Sequence, residues 1–200
     1  MKITIAHEEL NKALSLTAFA ASTDATRYYM NGVILEVDDG VARLVSTDGL
    51  RMSVYELQDV HHGDNPPARE QYLIPVDTAK AWLKDKPARG MGGERVTLEA
   101  TELSITRRAT SAQSTHPLID GSFPDWRRIL PDITHEPVCT APARFNAAFV
   151  GQLAAALKSA KLSASVRLTT TSDGNGPIFF DTEVEGFTHV IMPVRFKSCS

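Results

Sequence analysis

The sequence is short of the residues that build disulfide or metal scaffolds. It has two cysteines, Cys139 and Cys199, in 200 residues. Two thiols give neither a disulfide framework nor a ligand cluster, and they read as free thiols in a reducing compartment. A basic excess is also missing, since 21 Lys and Arg stand against 24 Asp and Glu, for a formal net charge of -3. Binding of nucleic acid through bulk positive charge is therefore not expected, although a locally basic surface on an acidic body fits the balance. No apolar run approaches the ~18 residues of a membrane span. The start, Met1-Lys2-Ile3-Thr4-Ile5, alternates polar and apolar residues and lacks the apolar stretch of a signal peptide. These shortages argue against membrane, secreted disulfide-rich and zinc-finger classes. The expectation is a soluble cytoplasmic protein.

Catalytic signatures are lacking too. The six histidines, His7, His61, His62, His116, His135 and His189, include no pair at ligand spacing on a helix. His61-His62 falls in a linker and reads as solvated. Cys139 has no base near it in the chain. Gly90-Met91-Gly92-Gly93 follows a predicted helix rather than opening one, so it does not read as a phosphate loop. Asp38, Asp39 and Asp48 belong to turns, whose chemistry explains them. No nucleophilic triad signature is present. The expectation is a protein that is not an enzyme, with no cofactor and no metal.

What is present is a core-forming composition, 42% hydrophobic and 22% charged. It is organised as one pattern used three times: a short strand, an amphipathic helix, then strands separated by Gly or Asp turns. The first unit, residues 1–65, predicts a strand Lys2 to Ile5, a helix Glu8 to Ala20, and strands Asn31 to Val37, Val41 to Ser46 and Leu50 to Leu57. Asp38-Asp39-Gly40 between the first two of those strands is a hairpin signal. The second unit, 66–135, predicts a strand Gln71 to Ile74, a helix Asp77 to Lys84, and strands Arg95 to Ala100, Glu102 to Arg107 and Ala112 to Pro117. The third, 136–200, predicts a strand Thr140 to Phe145, a helix capped by Asn146 and running to Ala160, and strands Ser165 to Thr170, Ile178 to Thr182 and Thr188 to Val194. One helix per group of antiparallel strands argues an α+β fold. An odd number of units leaves an apolar face or a sheet edge to be covered, which points to self-assembly. Residues 1–65 carry 5 basic and 10 acidic side chains, whereas the later two units are near neutral. The second and third helices bear Lys80, Lys84, Lys158 and Lys161 on their polar sides. Alone, such lysines read as a solvated face.

Three segments join into a resemblance. Thr26-Arg27-Tyr28-Tyr29-Met30-Asn31-Gly32 sets a cation and two aromatics beside a strand start, and Ser46-Thr47-Asp48-Gly49-Leu50-Arg51-Met52 follows it. Gly121 to Pro131 is a loop with aromatic, proline and arginine anchors. Val190-Ile191-Met192-Pro193-Val194-Arg195 is an apolar strand near the C-terminus. In this order the chain resembles the bacterial sliding clamp family, the beta subunit of DNA polymerase III. Residues 1–135 resemble the family's two-unit middle domain, and residues 136–200 resemble only the last unit of its third domain. Met1 falls where the middle domain would begin and the end lies four residues past the family's usual terminus, which looks like a compact variant.

The resemblance implies the DNA-clamp fold, one and a half clamp domains per chain, with helices lining a channel. It implies a processivity factor for DNA replication that encircles duplex DNA as a ring and tethers DNA polymerase and other replication or repair proteins. The family's ring has twelve units, so three per chain implies a head-to-tail homotetramer. Arg27, Tyr28 and Tyr29 match the DNA-touching segment, and Lys80, Lys84, Lys158 and Lys161 would meet phosphates without reading sequence. The matching partner-peptide pocket is Met30, Thr47, Leu50, Arg51, Met52, Pro124, Arg128, Ile129, Val190, Ile191, Met192, Pro193 and Val194. Two positions depart from the family: Leu50 stands where His is common, making the pocket more apolar, and Asp77 stands where a channel Lys occurs. The alternative reading is a clamp-like regulator or decoy that binds clamp partners without encircling DNA.

Overall fold

The computed structural model describes residues 1–63, 68–85, 93–110, 112–130, 144–170 and 176–194. Strand β1 (Lys2–Ala6) runs into helix α1 (His7–Thr17). No side chain caps this helix, but Glu8 and Glu9 lie in its first turn, where the helix dipole favours acids. After 3-10 turns at Ala18–Ala20 and Ala25–Met30 come β2 (Gly32–Asp38), β3 (Val41–Thr47) and β4 (Arg51–Glu56). The β2–β3 hairpin turns through Asp39 and Gly40, both at positive φ (47° and 77°), as its tight two-residue loop requires. Then follow β5 (His61–His62), β6 (Arg69–Pro75), α2 (Val76–Trp82), β7 (Arg95–Ala100), β8 (Ser104–Arg108) and β9 (Gln113–Pro117). A 3-10 turn at Trp126–Ile129, helix α3 (Ala147–Ser159), and strands β10 (Val166–Thr170), β11 (Ile178–Thr182) and β12 (Phe187–Ile191) complete the order. The fold is α+β.

All strand pairs are antiparallel and form two sheets. One has the order β5-β1-β7-β8-β9, the other β10-β11-β12-β4-β3-β2-β6. The first two units therefore exchange their leading strands: β1 pairs with β7, and β6 pairs with β2. The third unit joins the first through β12 on β4, with Phe187 opposite Tyr55 and Ile191 opposite Arg51. The main core lies between the helices and the sheets and takes side chains from all three units, among them Ile3, Leu14, Leu35, Trp82, Leu98, Leu157 and Phe180. A second core of Ile34, Val45, Met52, Val54, Leu73, Phe123, Trp126 and Val190 covers the other face of the seven-stranded sheet. Burial on both faces explains why β2 reads as almost continuously apolar rather than alternating.

Several sequence expectations are corrected. The first helix stops at Thr17 and tightens into a 3-10 turn instead of running to Ala20. The second stops at Trp82, not Lys84. The last strand ends at Ile191, not Val194, because Pro193 has no N–H to offer a ladder. His61-His62, read as linker, pairs with Ile3 and Thr4 as a short edge strand. Arg144 and Phe145, expected at the end of the third leading strand, are in no strand, although the Arg144 carbonyl accepts from the Val194 N–H (2.8 Å). Residues 140–143, Gly90 to Gly92, Pro131, His135, Cys139, Arg195 and Cys199 lie outside the described residues. Among the described residues no group of three or more His, Cys, Asp or Glu could hold a metal ion. No helix among them is long and apolar enough to cross a membrane.

Candidate nucleic-acid and peptide interface

The turn between β3 and β4 is built by its own side chains. The Asp48 carboxylate accepts from the Leu50 and Arg51 N–H groups (2.9 and 3.0 Å) and pairs with Arg51 Nε at 3.0 Å. Thr47 Oγ1 donates to the Arg51 carbonyl (2.6 Å) and accepts from the Gly49 N–H (3.0 Å). Gly49 sits at φ 85°, and a Cβ there would lie 3.2 Å from the Arg27 guanidinium. Asp48 thus does more than turn chemistry predicts, since it also holds a buried arginine. The turn projects Leu50 into solvent, 57% exposed, and the Leu50 carbonyl accepts from the Met192 N–H at 2.8 Å.

Alternation along β4 and β12 divides the expected pocket between the two faces of the sheet. Met52 and Val190, directly opposite each other, both enter the second core, and Ile129 packs against that core. Pro124, Met192 and Pro193 are half-buried, Val194 is exposed, and Met30 and Thr47 are buried. Arg51 and Ile191 point the other way. Ile191 belongs to the main core. The Arg51 guanidinium lies over the Phe149 ring (4.6 Å) and the Phe19 ring (5.5 Å) and donates to Gln152 Oε1 of α3. Beside it, Ser53 Oγ and His189 Nδ1 are 2.8 Å apart, with the imidazole among Phe19, Phe180 and Phe187. Burial, helped by the Arg51 charge, pushes the His189 pKa down to about 3.

Arg128, whose side chain is 84% exposed, pairs with Asp125 at 3.1 Å. Its neighbour Arg127 anchors the loop. Glu36 is fully buried on β2 and accepts from Arg127 Nη1 (2.9 Å), Arg127 Nη2 (2.6 Å) and Gln71 Nε2 (2.6 Å). Arg127 also reaches Asp38 (2.8 Å), and its guanidinium covers the Trp126 ring at 4.4 Å. Burial works to raise the Glu36 carboxyl, but the Arg127 and Gln71 hydrogen bonds outweigh it and hold the pKa below the ordinary value. Sequence reasoning missed Arg127 and Glu36, which are 91 residues apart in the chain. A lone Glu inside an otherwise apolar strand was the available signal.

The cationic positions form a less compact set. Asp24 caps the Ala25–Met30 turn through the Thr26 N–H (2.9 Å) and lies 3.8 Å from Arg27 Nε. Tyr28 is exposed and meets Tyr29 edge to face at 5.8 Å. Arg27 and Lys80 line one open cavity of about 590 Å³, together with Asp24, Asp48, Leu50 and Gln152. Lys84, Lys158 and Lys161 do not line it and are exposed, Lys84 just past α2, Lys158 in the last turn of α3 and Lys161 just past α3. Both α2 and α3 pack against α1, so the lysine-bearing helices flank one central helix.

A family model, the central domain of the DNA polymerase III beta subunit, matches residues 4–125. The beta sliding clamp of Vibrio cholerae is 29% identical over 154 residues, covering 74% of this chain and 39% of that protein. That of Pseudomonas aeruginosa is 28% identical over 137 residues, covering 66% of this chain and 34% of that protein. The matched segments thus span well under half the length of these relatives. Among solved structures, the Pseudomonas aeruginosa beta subunit superposes with a TM-score of 0.76 at 20% identity, over 98% of this chain and 67% of that one. A Bartonella birtlesii sliding clamp bound to griselimycin gives 0.75 at 22% identity, over 98% and 66%. The exchanged strands, the paired third unit and a model match over more than half the residues agree: the chain belongs to the DNA polymerase III beta subunit family.

Proposed function

We propose that the chain is a sliding-clamp subunit whose copies close a ring around duplex DNA. Residues 1–135 act as a two-unit domain and 136–200 as a half-domain unit, and four copies supply twelve units. A closed ring is held on DNA by topology, so weak and sequence-blind contacts suffice. Arg27, Tyr28, Tyr29, Lys80, Lys84, Lys158 and Lys161 supply them, giving salt-sensitive attraction to phosphates.

The partner site is the second-core side of the β4–β12 seam. The single observation that carries this reading is the pairing of Met52 with Val190, which joins the first and third units beside the Arg127-anchored loop. Leu50, Pro124, Arg128, Ile129, Met192, Pro193 and Val194 form the accessible rim. That mixture of apolar surface and one exposed arginine, itself paired with Asp125, suits short, partly apolar peptide motifs of DNA polymerases and other clamp partners. Topological retention tests the ring. Protein assembled on a nicked circular plasmid should co-elute with it in gel filtration and be lost when a restriction enzyme linearises the circle. Equal retention on both forms, or none on the circle, would replace the ring by the regulator that binds partners off DNA.

A further inference from the structure

The three units are not equally covered. The first strand after each helix carries the same V-x-L pattern: Val33 and Leu35 on β2, Val96 and Leu98 on β7, Val166 and Leu168 on β10. The first four are 0% exposed. Val166 and Leu168 are 36% and 47% exposed. The difference follows from topology. β2 is flanked by β6, and β7 by β1, whereas β10 ends its sheet among the described residues. Leu168 faces the same side as its partner Phe180, which is buried in the main core, so half of a core position stands open to water.

Among the described residues a second edge is open as well. β9 ends the five-stranded sheet, and it is the third strand after the helix of its unit. The equivalent third strands after the helix in the other two units, β4 and β12, pair with each other. The other two sheet ends differ: β5 is an edge strand of only two residues, too short to dock another strand, and the Ile119 N–H donates to the Leu73 carbonyl on the outer side of β6 (2.9 Å).

We infer that each open edge takes the same edge of a second copy of this chain, so that neighbouring copies are related by two-fold axes. Among the described residues only two kinds of junction occur. Third post-helix strand meets third post-helix strand, antiparallel, at β4–β12, and units exchange leading strands onto β2 and β7. Both relate the joined units by a local half-turn. A head-to-tail ring would instead set β9 against β10, a third post-helix strand against a first one, a junction found nowhere in the described fold. Like-with-like contact repeats the existing junctions: β9 against β9 as β4 meets β12, and third unit against third unit, each covering the other's β10. Two different self-complementary interfaces on one chain close as a dihedral tetramer. This replaces the head-to-tail order expected from the sequence. It deepens the ring reading, and it rests on that reading only for the number of copies.

Mass measurement by light scattering without DNA separates the two arrangements. Lysines guard natural edge strands, and across a two-fold axis they face their own copies. Val166→Lys with Leu168→Lys should leave two copies joined through β9, and Gln113→Lys with Thr115→Lys should leave two copies joined through β10. All four substitutions together should give one copy, with circular dichroism unchanged throughout. A head-to-tail contact uses both edges in one interface, so either pair of substitutions alone would give one copy of 21.8 kDa. That result, a wild-type mass of one copy, or unchanged masses in both variants would overturn the inference. Should the β10 variant fail to fold, amide exchange of residues 166–169 in the wild type should slow as protein concentration rises. Concentration-independent exchange would overturn it equally. Loss of plasmid retention with these masses as expected would count against the DNA ring alone.

Discussion

The two sides of the β4–β12 seam use the same ten paired residues for opposite purposes. On one side Met52 and Val190 sit in an apolar cluster that ends in an accessible rim. On the other side Arg51, Ser53 and His189 form a polar group sealed under Phe19 and Phe149. Apolar groups at the edge of a core tolerate partial solvation, which suits the proposed peptide site. Buried polar groups cannot stay unpaired cheaply, so they fix how the third unit sits. One face carries the proposed peptide site and the other fixes orientation.

Breaking the polar side has the largest expected effect. Arg51→Ala leaves Asp48 and Gln152 without their cation and opens space between two phenyl rings. It should cost about 3 kcal/mol in urea unfolding. A loss below about 1 kcal/mol would mean that the arginine does not tie α3 to the seam. The next effect depends on pH. Folding holds the His189 pKa below its ordinary 6.5, so the neutral form is the stabilised one. Its contribution is complete above pH 6.5 and declines as pH falls toward 3. Between pH 6.5 and 5, where Glu36 remains ionised, melting temperature should fall in the wild type and stay flatter in His189→Phe. Parallel curves would remove His189 from the account. The smallest effect on stability belongs to the other side. Arg128→Ala should change stability by less than about 0.5 kcal/mol, yet weaken a clamp-motif peptide by roughly tenfold in calorimetry. Unchanged affinity would take the loop out of the peptide site.

Local signals were legible wherever one residue decides the geometry. Asn146 does cap α3, accepting from the Ala148 N–H at 3.0 Å, and Asp39-Gly40 does turn the first hairpin. The three strands after each helix were readable because their spacing is short and their turns polar. What escaped the sequence is which face a doubly buried strand presents. With apolar residues on both sides of β4 and β12, periodicity does not separate Met52 from Arg51 or Val190 from Ile191. Long-range polar pairs escaped for another reason: Arg127 with Glu36, and Ser53 with His189, are joined only by the topology of the sheet. His61-His62 was misread because a two-residue edge strand has no pattern of its own.

The ends of the seam set its mechanics. At one end the Glu56 N–H donates to the Gly186 carbonyl at 2.8 Å, and Gly186 has φ 75°, with a Cβ there only 3.0 Å from the Glu56 carbonyl. At the other end the Met192 N–H donates to Leu50. A ladder fastened at both ends resists unzipping, because no terminal pair is left loose to start a tear. Tension along the strands is then shared by every bond at once, while a sideways pull meets a closed end first. A partner tugging on the rim would accordingly strain the seam as a whole rather than peel the third unit away bond by bond.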